Sequence, residues 1–347
     1  DPLDGTFTVS ATIQDGGWGE ADLAYGGVIY QANGWQQTAK VLGMGGRGEV
    51  AFAVPSIVKG KTNVESISVS AKKVTAGCNG QDYVTDTPTG SYPFASVHHH
   101  KNRTSLFRDV RFAGNPVIPA KVNLIDPTMR GWGVLTRGRP IPKMLLPIGP
   151  RQNRKQIVQF REKMTKDLAK GPLVGGWSVR EGQLHFKSHP LTNRAYAPAS
   201  HIEYLRPIQD GESIAIEFYW LEGKTEFSPT IGRTILRLGA EGMKPDWIVA
   251  NGDLASVGYV PASQLDPPYQ AIAPENVPND KSWNTLVMDR DGDLVSLTLN
   301  ERPLVDIPVQ GHERPGIYRD QKRDLQIRAI NLTGDWPDQF PQQLMAN

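Results

Sequence analysis

Apolar and polar residues alternate along most of this chain with a period of two, the spacing that sends successive side chains to opposite faces of a β-strand. The pattern is clearest in the second half. Ile214, Ile216, Phe218 and Trp220 interleave with Ala215, Glu217 and Tyr219, which predicts a strand with one face on a core. Trp177–Phe186 reads as two short strands around a Glu181-Gly182 turn, His201–Arg206 as a strand stopped by Pro207, and Thr234–Leu238 as another. Trp283–Met288 and Leu294–Leu299 flank Asp289-Arg290-Asp291-Gly292-Asp293, a strong hairpin signal, and Leu325–Leu332 closes the set.

The first half repeats that ending. Leu106–Pro116 has the cadence of Ile327–Pro337: an arginine within an alternating apolar strand, then a Gly- and Pro-containing stop. Phe7–Ile13, Gly27–Tyr30, Glu49–Val54 and Val64–Ser70 are the strands expected upstream. Only Arg151–Lys170 reads as a helix, with Ile157, Phe160, Met164 and Leu168 as its apolar stripe and Gly171-Pro172 as its stop. Its other face is basic, as a solvated helix face usually is. Many short strands with almost no helix indicate a sandwich or barrel. The expected organisation is an N-terminal sandwich over 1–136, a Pro-rich linker with the helix over 137–174, a C-terminal sandwich over 175–337, and a tail over 338–347.

Composition narrows the class. At 347 residues the chain has material for two cores, and 39% hydrophobic with 21% charged residues describes a folded domain pair. No apolar run is long enough for a spanning helix. A net charge of +2, evenly spread, argues against a nucleic-acid partner. The single cysteine, Cys78, excludes an intrachain disulfide. The numbering opens at Asp1 with no signal-like segment, which we read as a processed chain or a fragment of a longer one.

At the closing strands a family resemblance becomes specific. Gly223-Lys224-Thr225-Glu226 followed by Gly232-Arg233, then Gly316-Ile317-Tyr318-Arg319, then Gly334-Asp335-Trp336-Pro337 resemble a bacterial domain-of-unknown-function family, number 1583. More distantly, Trp177-Ser178-Val179, Trp283-Asn284, Leu299-Asn300 with Pro303, and Ile327-Arg328 resemble the concanavalin A-like, laminin-G-like domain of 3-keto-glycoside hydrolases. The closer likeness covers about Gly175–Pro337, and more loosely Leu106–Trp132. It implies an all-β fold of two tandem concanavalin A-like jelly-roll sandwiches, and little chemistry, because fold does not carry function. Laminin-G-like modules often hold a structural calcium at the rim, so that is the one cofactor the resemblance allows.

The preferred ligand-binding group is Tyr204, Arg206, Glu217, Tyr219, Glu226, Arg233 and Tyr318. Glu217 and Tyr219 lie opposite Ile216 and Phe218 and so line the non-core side of their strand, while Arg233 is placed to pair with Glu226. Glu217 and Glu226 are the weak candidates for a general acid/base. No Glu-x-Asp-x-Glu string supplies the paired carboxylates of a retaining glucanase on one strand face. Asp289, Asp291 and Asp293 lack the glycine and glutamate spacing of an EF-hand loop, so a hairpin with solvated carboxylates is the better account. In His98-His99-His100 only the first and third could share a metal, and no further ligand is evident; an exposed polar loop is favoured, and no metal site is assigned. Trp177, Trp220 and Trp283 are assigned to the core. Trp18, Trp35, Trp132 and Trp247 lie near turns, where an indole can stack on a sugar, though packing is favoured for each.

The expected function is a non-catalytic carbohydrate-binding or adhesive module of a larger secreted, periplasmic or envelope protein. Its partners would be a glycan or polysaccharide, with other subunits or domains beside it. The alternatives are a glycan-active hydrolase or lyase, and a structural assembly subunit.

Overall fold

The computed structural model describes residues 1–15, 21–33, 38–43, 47–53, 57–58, 61–86, 90–99, 105–127, 129–134, 177–186, 201–239, 242–250, 257–261, 276–319 and 323–345. The predicted helix and most of the predicted linker lie outside them. Among the described residues there is no α-helix, only a 3-10 turn at Gln342–Leu344, and the strands pair antiparallel. Two units are present, Asp1–Val122 with Asp335–Asn347, and Asn123–Gly334.

Among the described residues the first unit has ten strands: β1 (Asp4–Asp15), β2 (Ala21–Tyr25), β3 (Val28–Asn33), β4 (Thr38–Gly43), β5 (Arg47–Ala53), β6 (Thr62–Ser70), β7 (Lys73–Cys78), β8 (Gln81–Asp86), β9 (Ala95–His99) and β10 (Ser105–Val117). They form two sheets, in the orders β10-β1-β6-β7-β8 and β5-β4-β3-β2-β9. The alternation in β1 sends Phe7, Val9, Ala11 and Ile13 into a core shared with Ile67 and Val69 of β6 and with Leu23, Tyr25 and Tyr30 of the facing sheet. The Phe7 and Tyr25 rings meet edge-on at 5.6 Å across the sheets. Within the stretch expected as a tail, Phe340 lies 4.7 Å from Phe112 of this unit. Cys78 is buried here, and burial, then the nearby Glu65 carboxylate, push its thiol up to about 12. We therefore expect no reaction of Cys78 with an aromatic disulfide reagent at pH 8 in the folded chain, and rapid reaction in denaturant. Stoichiometric labelling of the native chain would contradict this burial.

The second unit continues the series: β11 (Val122–Asn123) at the junction, β12 (Trp132–Val134), β13 (Trp177–Arg180), β14 (Gln183–Phe186), β15 (Ile202–Tyr204), β16 (Glu212–Trp220), β17 (Ser228–Ile231), β18 (Thr234–Gly239), β19 (Gly242–Ala250), β20 (Val257–Pro261), β21 (Ser282–Asp291), β22 (Leu294–Leu299), β23 (Arg302–Pro308), β24 (Pro315–Tyr318) and β25 (Leu325–Gly334). One sheet runs β13-β14-β25-β16-β21-β22-β23, with β11 on β25; the other runs β12-β15-β24-β17-β18-β19-β20. Residues 123–134, placed in the N-terminal sandwich on sequence grounds, lie in this unit. The Leu124 N–H donates to the Ile330 carbonyl, and the Trp132 ring lies 5.3 Å from that of Tyr204. The sheets meet where Phe218 stacks on Phe227 at 4.1 Å. The Glu181-Gly182 turn forms as expected, both residues at positive φ (51° and 74°), which is the backbone a two-residue hairpin loop requires.

The second unit repeats the first. Adding 15 to each label turns β10-β1-β6-β7-β8 into β25-β16-β21-β22-β23, and β5-β4-β3-β2-β9 into β20-β19-β18-β17-β24, both found in the structure. A hydrogen-bond network recurs with the strands. The Asn63 carboxamide donates to the carbonyls of Val58 (3.1 Å) and Lys61 (3.3 Å) and accepts from the Val58 N–H and from Asn79 Nδ2 (both 2.8 Å). The Asn284 carboxamide donates to the carbonyls of Asn279 (3.0 Å) and Ser282 (3.1 Å) and accepts from the Asn279 N–H and from Asn300 Nδ2 (both 2.7 Å). Asn79 and Asn300 each sit at positive φ, 49° and 50°, a conformation asparagine tolerates better than most residues.

Candidate functional site

One group of polar side chains of the second unit lies on the non-core face of its second sheet. Phe227 faces the core against Phe218, so alternation turns Glu226, Ser228 and Thr230 the other way. Register extends this face sideways. Ser228 stands opposite Tyr318, and Thr230 stands between Gly316 and Ile235. Glu203 is also opposite Gly316, and Arg237, two residues beyond Ile235, is opposite Lys244.

These groups are connected. The Ser228 hydroxyl is 3.3 Å from Glu226 Oε1, and His201 Nε2 is 3.0 Å from the Thr230 hydroxyl. The His201 ring meets that of Tyr318 edge-on at 6.2 Å. Ser228 and Thr230 are 0% exposed, His201 4% and Glu226 8%, whereas Tyr318 and Arg237 are half-buried and Lys244 is exposed. Hydroxyl, imidazole and carboxylate thus form a floor, with the Tyr318 phenol against His201 and with Arg237 and Lys244 on the neighbouring strands of the same face. Burying so many polar groups is costly unless they are paired, and here the floor pairs internally. Gly316 makes room for it: a Cβ there would come within 2.6 Å of Thr230 Oγ1 and 2.9 Å of His201 Nε2.

The first unit carries a polar row at the same register positions. Asp22 of β2 stands opposite His98 of β9, as Ser228 stands opposite Tyr318, and Gln31 of β3 takes the position of Arg237. Asp22 is 0% exposed; its carboxylate accepts from Gln31 Nε2 at 3.2 Å and lies 3.4 Å from His98 Nδ1. His98 is therefore part of a strand and not of the exposed loop expected for it.

The seven residues expected to form one site are dispersed. Glu226 and Tyr318 belong to the face just described. Tyr204 is a core residue, 1% exposed. Arg206 clamps a loop through a bidentate pair with Glu212, 2.6 Å at each nitrogen, while Glu212 also accepts the Gln209 N–H. Arg233 lies in the exposed β17–β18 turn, and among the described residues no ion pair joins it to Glu226. Glu217 and Tyr219 are on the outward face of the first sheet, across the sandwich from Glu226.

Trp283 is there too. It is half-buried beside Tyr219 and not in the core, because its register partner is an outward residue. Trp177, Trp220 and Trp132 are buried; Trp18, Trp35 and His100 lie outside the described residues. The Asp289–Asp293 segment is a hairpin, Asp291 opposite Leu294. Among the described residues no three His, Cys, Asp or Glu side chains converge. Sequence reasoning missed His201, Ser228, Thr230, Arg237 and Lys244. For Ser228 and Thr230 the one signal was their alternation with Phe227, Pro229 and Ile231 in a segment too short to stand out; His201, Arg237 and Lys244 lie outside it.

Comparison with known proteins places the chain beside families defined by sequence alone. Residues 197–339 match the family model described as Domain of unknown function (DUF1583_N), and residues 66–157 match Protein of unknown function (DUF1581). The first is the family its closing-strand motifs resemble. No curated protein matches the chain. Among solved structures, a putative glycosyl hydrolase from Parabacteroides distasonis is 11% identical over 47% of this chain and 86% of its own, with a TM-score of 0.31. The galectin LEC-6 of Caenorhabditis elegans is 11% identical over 43% and 95%, with a TM-score of 0.26. The β-agarase A of Zobellia galactanivorans is 8% identical over 46% and 74%, with a TM-score of 0.33.

Proposed function

We propose that the chain is a carbohydrate-binding or adhesive module of a larger secreted or envelope protein, built of two tandem concanavalin A-like sandwiches. The observation that carries the reading is the outward face of the second sheet in the second unit. There Tyr318 and Arg237 stand over a floor of Glu226, His201, Ser228 and Thr230, a set of donors and acceptors with one phenol ring, suited to a ligand rich in hydroxyls. Glycan-array screening followed by polysaccharide pull-down tests it. Glu226→Gln and Ser228→Ala should each weaken binding about tenfold, the loss of roughly one good hydrogen bond. Retention of the intact chain on no glycan at all would end this reading in favour of an assembly subunit.

The hydrolase reading is less well supported. Its two alternative candidates for a general acid/base, Glu217 and Glu226, face opposite sides of one sandwich, so they do not supply each other's partner carboxylate, which a retaining mechanism places about 5–5.5 Å away.

A further inference from the structure

We propose that the outward face of the first sheet in the second unit is a separate carbohydrate-contact surface, made by Trp283, Tyr219, Glu217 and Arg328, on which a pyranose ring stacks. It lies on the opposite side of the sandwich from the Tyr318–Glu226 face, and its residues are unused there.

The surface is built by a β-bulge. On β16 the inward residues Ile216, Phe218 and Trp220 are at most 3% exposed, while Glu217 and Tyr219 between them are half-buried. Pairing of β16 with β25 runs regularly to Glu217 opposite Ala329, then jumps to Phe218 opposite Ile327. Arg328 is the residue left over, and such an insertion re-aims a side chain. Its guanidinium lies 4.6 Å from the centre of the Trp283 ring and 2.5 Å from the Glu217 carboxylate. Tyr219, opposite Trp283 in register, meets that indole edge-on at 5.6 Å. The Arg328 and Glu217 side chains keep 47% and 29% of their surface exposed.

The first unit supplies an internal control. Counted from the asparagine pair, Trp283 corresponds to Thr62, which precedes Asn63 as Trp283 precedes Asn284. Gln14 stands opposite Thr62 as Tyr219 stands opposite Trp283, and Thr12 takes the place of Glu217. One copy thus has the threonine and glutamine of an ordinary solvated strand face, and the other has two large aromatics in water-accessible positions. A half-exposed indole gains little for folding and much for a ligand that covers it. A sugar fits better than a protein partner. The platform is only two rings wide; beyond Glu217 and Thr285 its face continues with the small Ala215 and Val287 and then with Thr298, Ser213 and Ser296, which falls short of the apolar area that a protein interface of roughly 800 Å² per side requires. The paired carboxylate and guanidinium offer acceptors and donors to adjacent ring hydroxyls.

The test is affinity electrophoresis of the full chain in gels holding hydroxyethylcellulose, xylan, glucomannan or pectin. The double substitution Trp283→Thr with Tyr219→Gln installs the first unit's residues and should leave the unfolding temperature close to wild type. It should weaken retardation about tenfold or more, as losing a stacked aromatic anchor does. Glu226→Gln with Ser228→Ala should leave that component in place, so the two faces fail separately. As a second measurement needing no substitution, the retarding polysaccharide should protect Trp283 from N-bromosuccinimide, read by peptide mass. Retardation unchanged by the double substitution, Trp283 oxidised equally with and without polysaccharide, or no retardation of the wild type in any gel would each overturn the proposal.

Discussion

Replacing Asn284 with alanine should destabilise the second unit by about 4 kcal/mol, from the loss of several buried hydrogen bonds at one residue. Asn284 is 1% exposed, and its carboxamide makes four bonds: to the Asn279 and Ser282 carbonyls, from the Asn279 N–H and from Asn300 Nδ2. Alanine fills none of these roles. Asn300 then loses the acceptor that holds it in place to receive the Thr285 N–H at 2.9 Å, and the Asn279 loop loses its tie to the start of β21. Each polar group left buried without a partner costs about 1–3 kcal/mol, so the total lies at the upper end of single substitutions. Equilibrium denaturation in guanidinium, followed by intrinsic fluorescence, measures it. Asn63→Ala should produce a loss of similar size in the first unit, because Asn63 is 5% exposed and holds the same four bonds. A cost below about 1 kcal/mol at either position would show that water replaces these bonds readily, and that the network does not hold the sheet.

Gly316→Ala should cost about 2–3 kcal/mol through overpacking and should abolish glycan binding at the second-sheet face. A Cβ at Gly316 would lie 2.5 Å from the Ile202 carbonyl oxygen, a backbone atom that cannot swing aside. It would also meet Thr230 Oγ1 and His201 Nε2, the pair that supports Tyr318. Relief requires β15 and β24 to separate or His201 to leave its place, and either displaces the Tyr318 ring. Thermal unfolding gives the stability change, and the glycan assay gives the functional one. A Gly316→Ala chain that binds at wild-type strength would remove the His201–Thr230–Tyr318 arrangement from the site.

Much of the fold was legible in the residues. β16 was readable because the seven-residue alternation from Ile214 to Trp220 has one physical solution, a strand with a buried face, and its burial follows that pattern without a break. The repeat was visible only as two similar closing strands, β10 and β25; that all ten strands recur in order depended on long-range pairing that no local pattern encodes. The site was harder. Glu226 and Tyr318 were identified and do share a face, but Tyr204, Arg206 and Arg233 went to the core, a loop clamp and a turn. Tyr204 owes its place to a neighbour distant in sequence, Trp132, whereas Arg206 is held by Glu212 only six residues on, a pairing set by the intervening turn.

Trp283 shows where the boundary lies. Its indole and its position beside Asn284 were plain in the sequence, and a core assignment was reasonable because large aromatics are usually buried. The register of β21 against β16 alone decided that it faces outward beside Tyr219, and only the bulge in β25 brought Arg328 over it. Side-chain period determined which elements form, because alternation is a local property of the chain. Cross-strand register determined which side chains meet, because a shift of one residue sends every side chain to the other face.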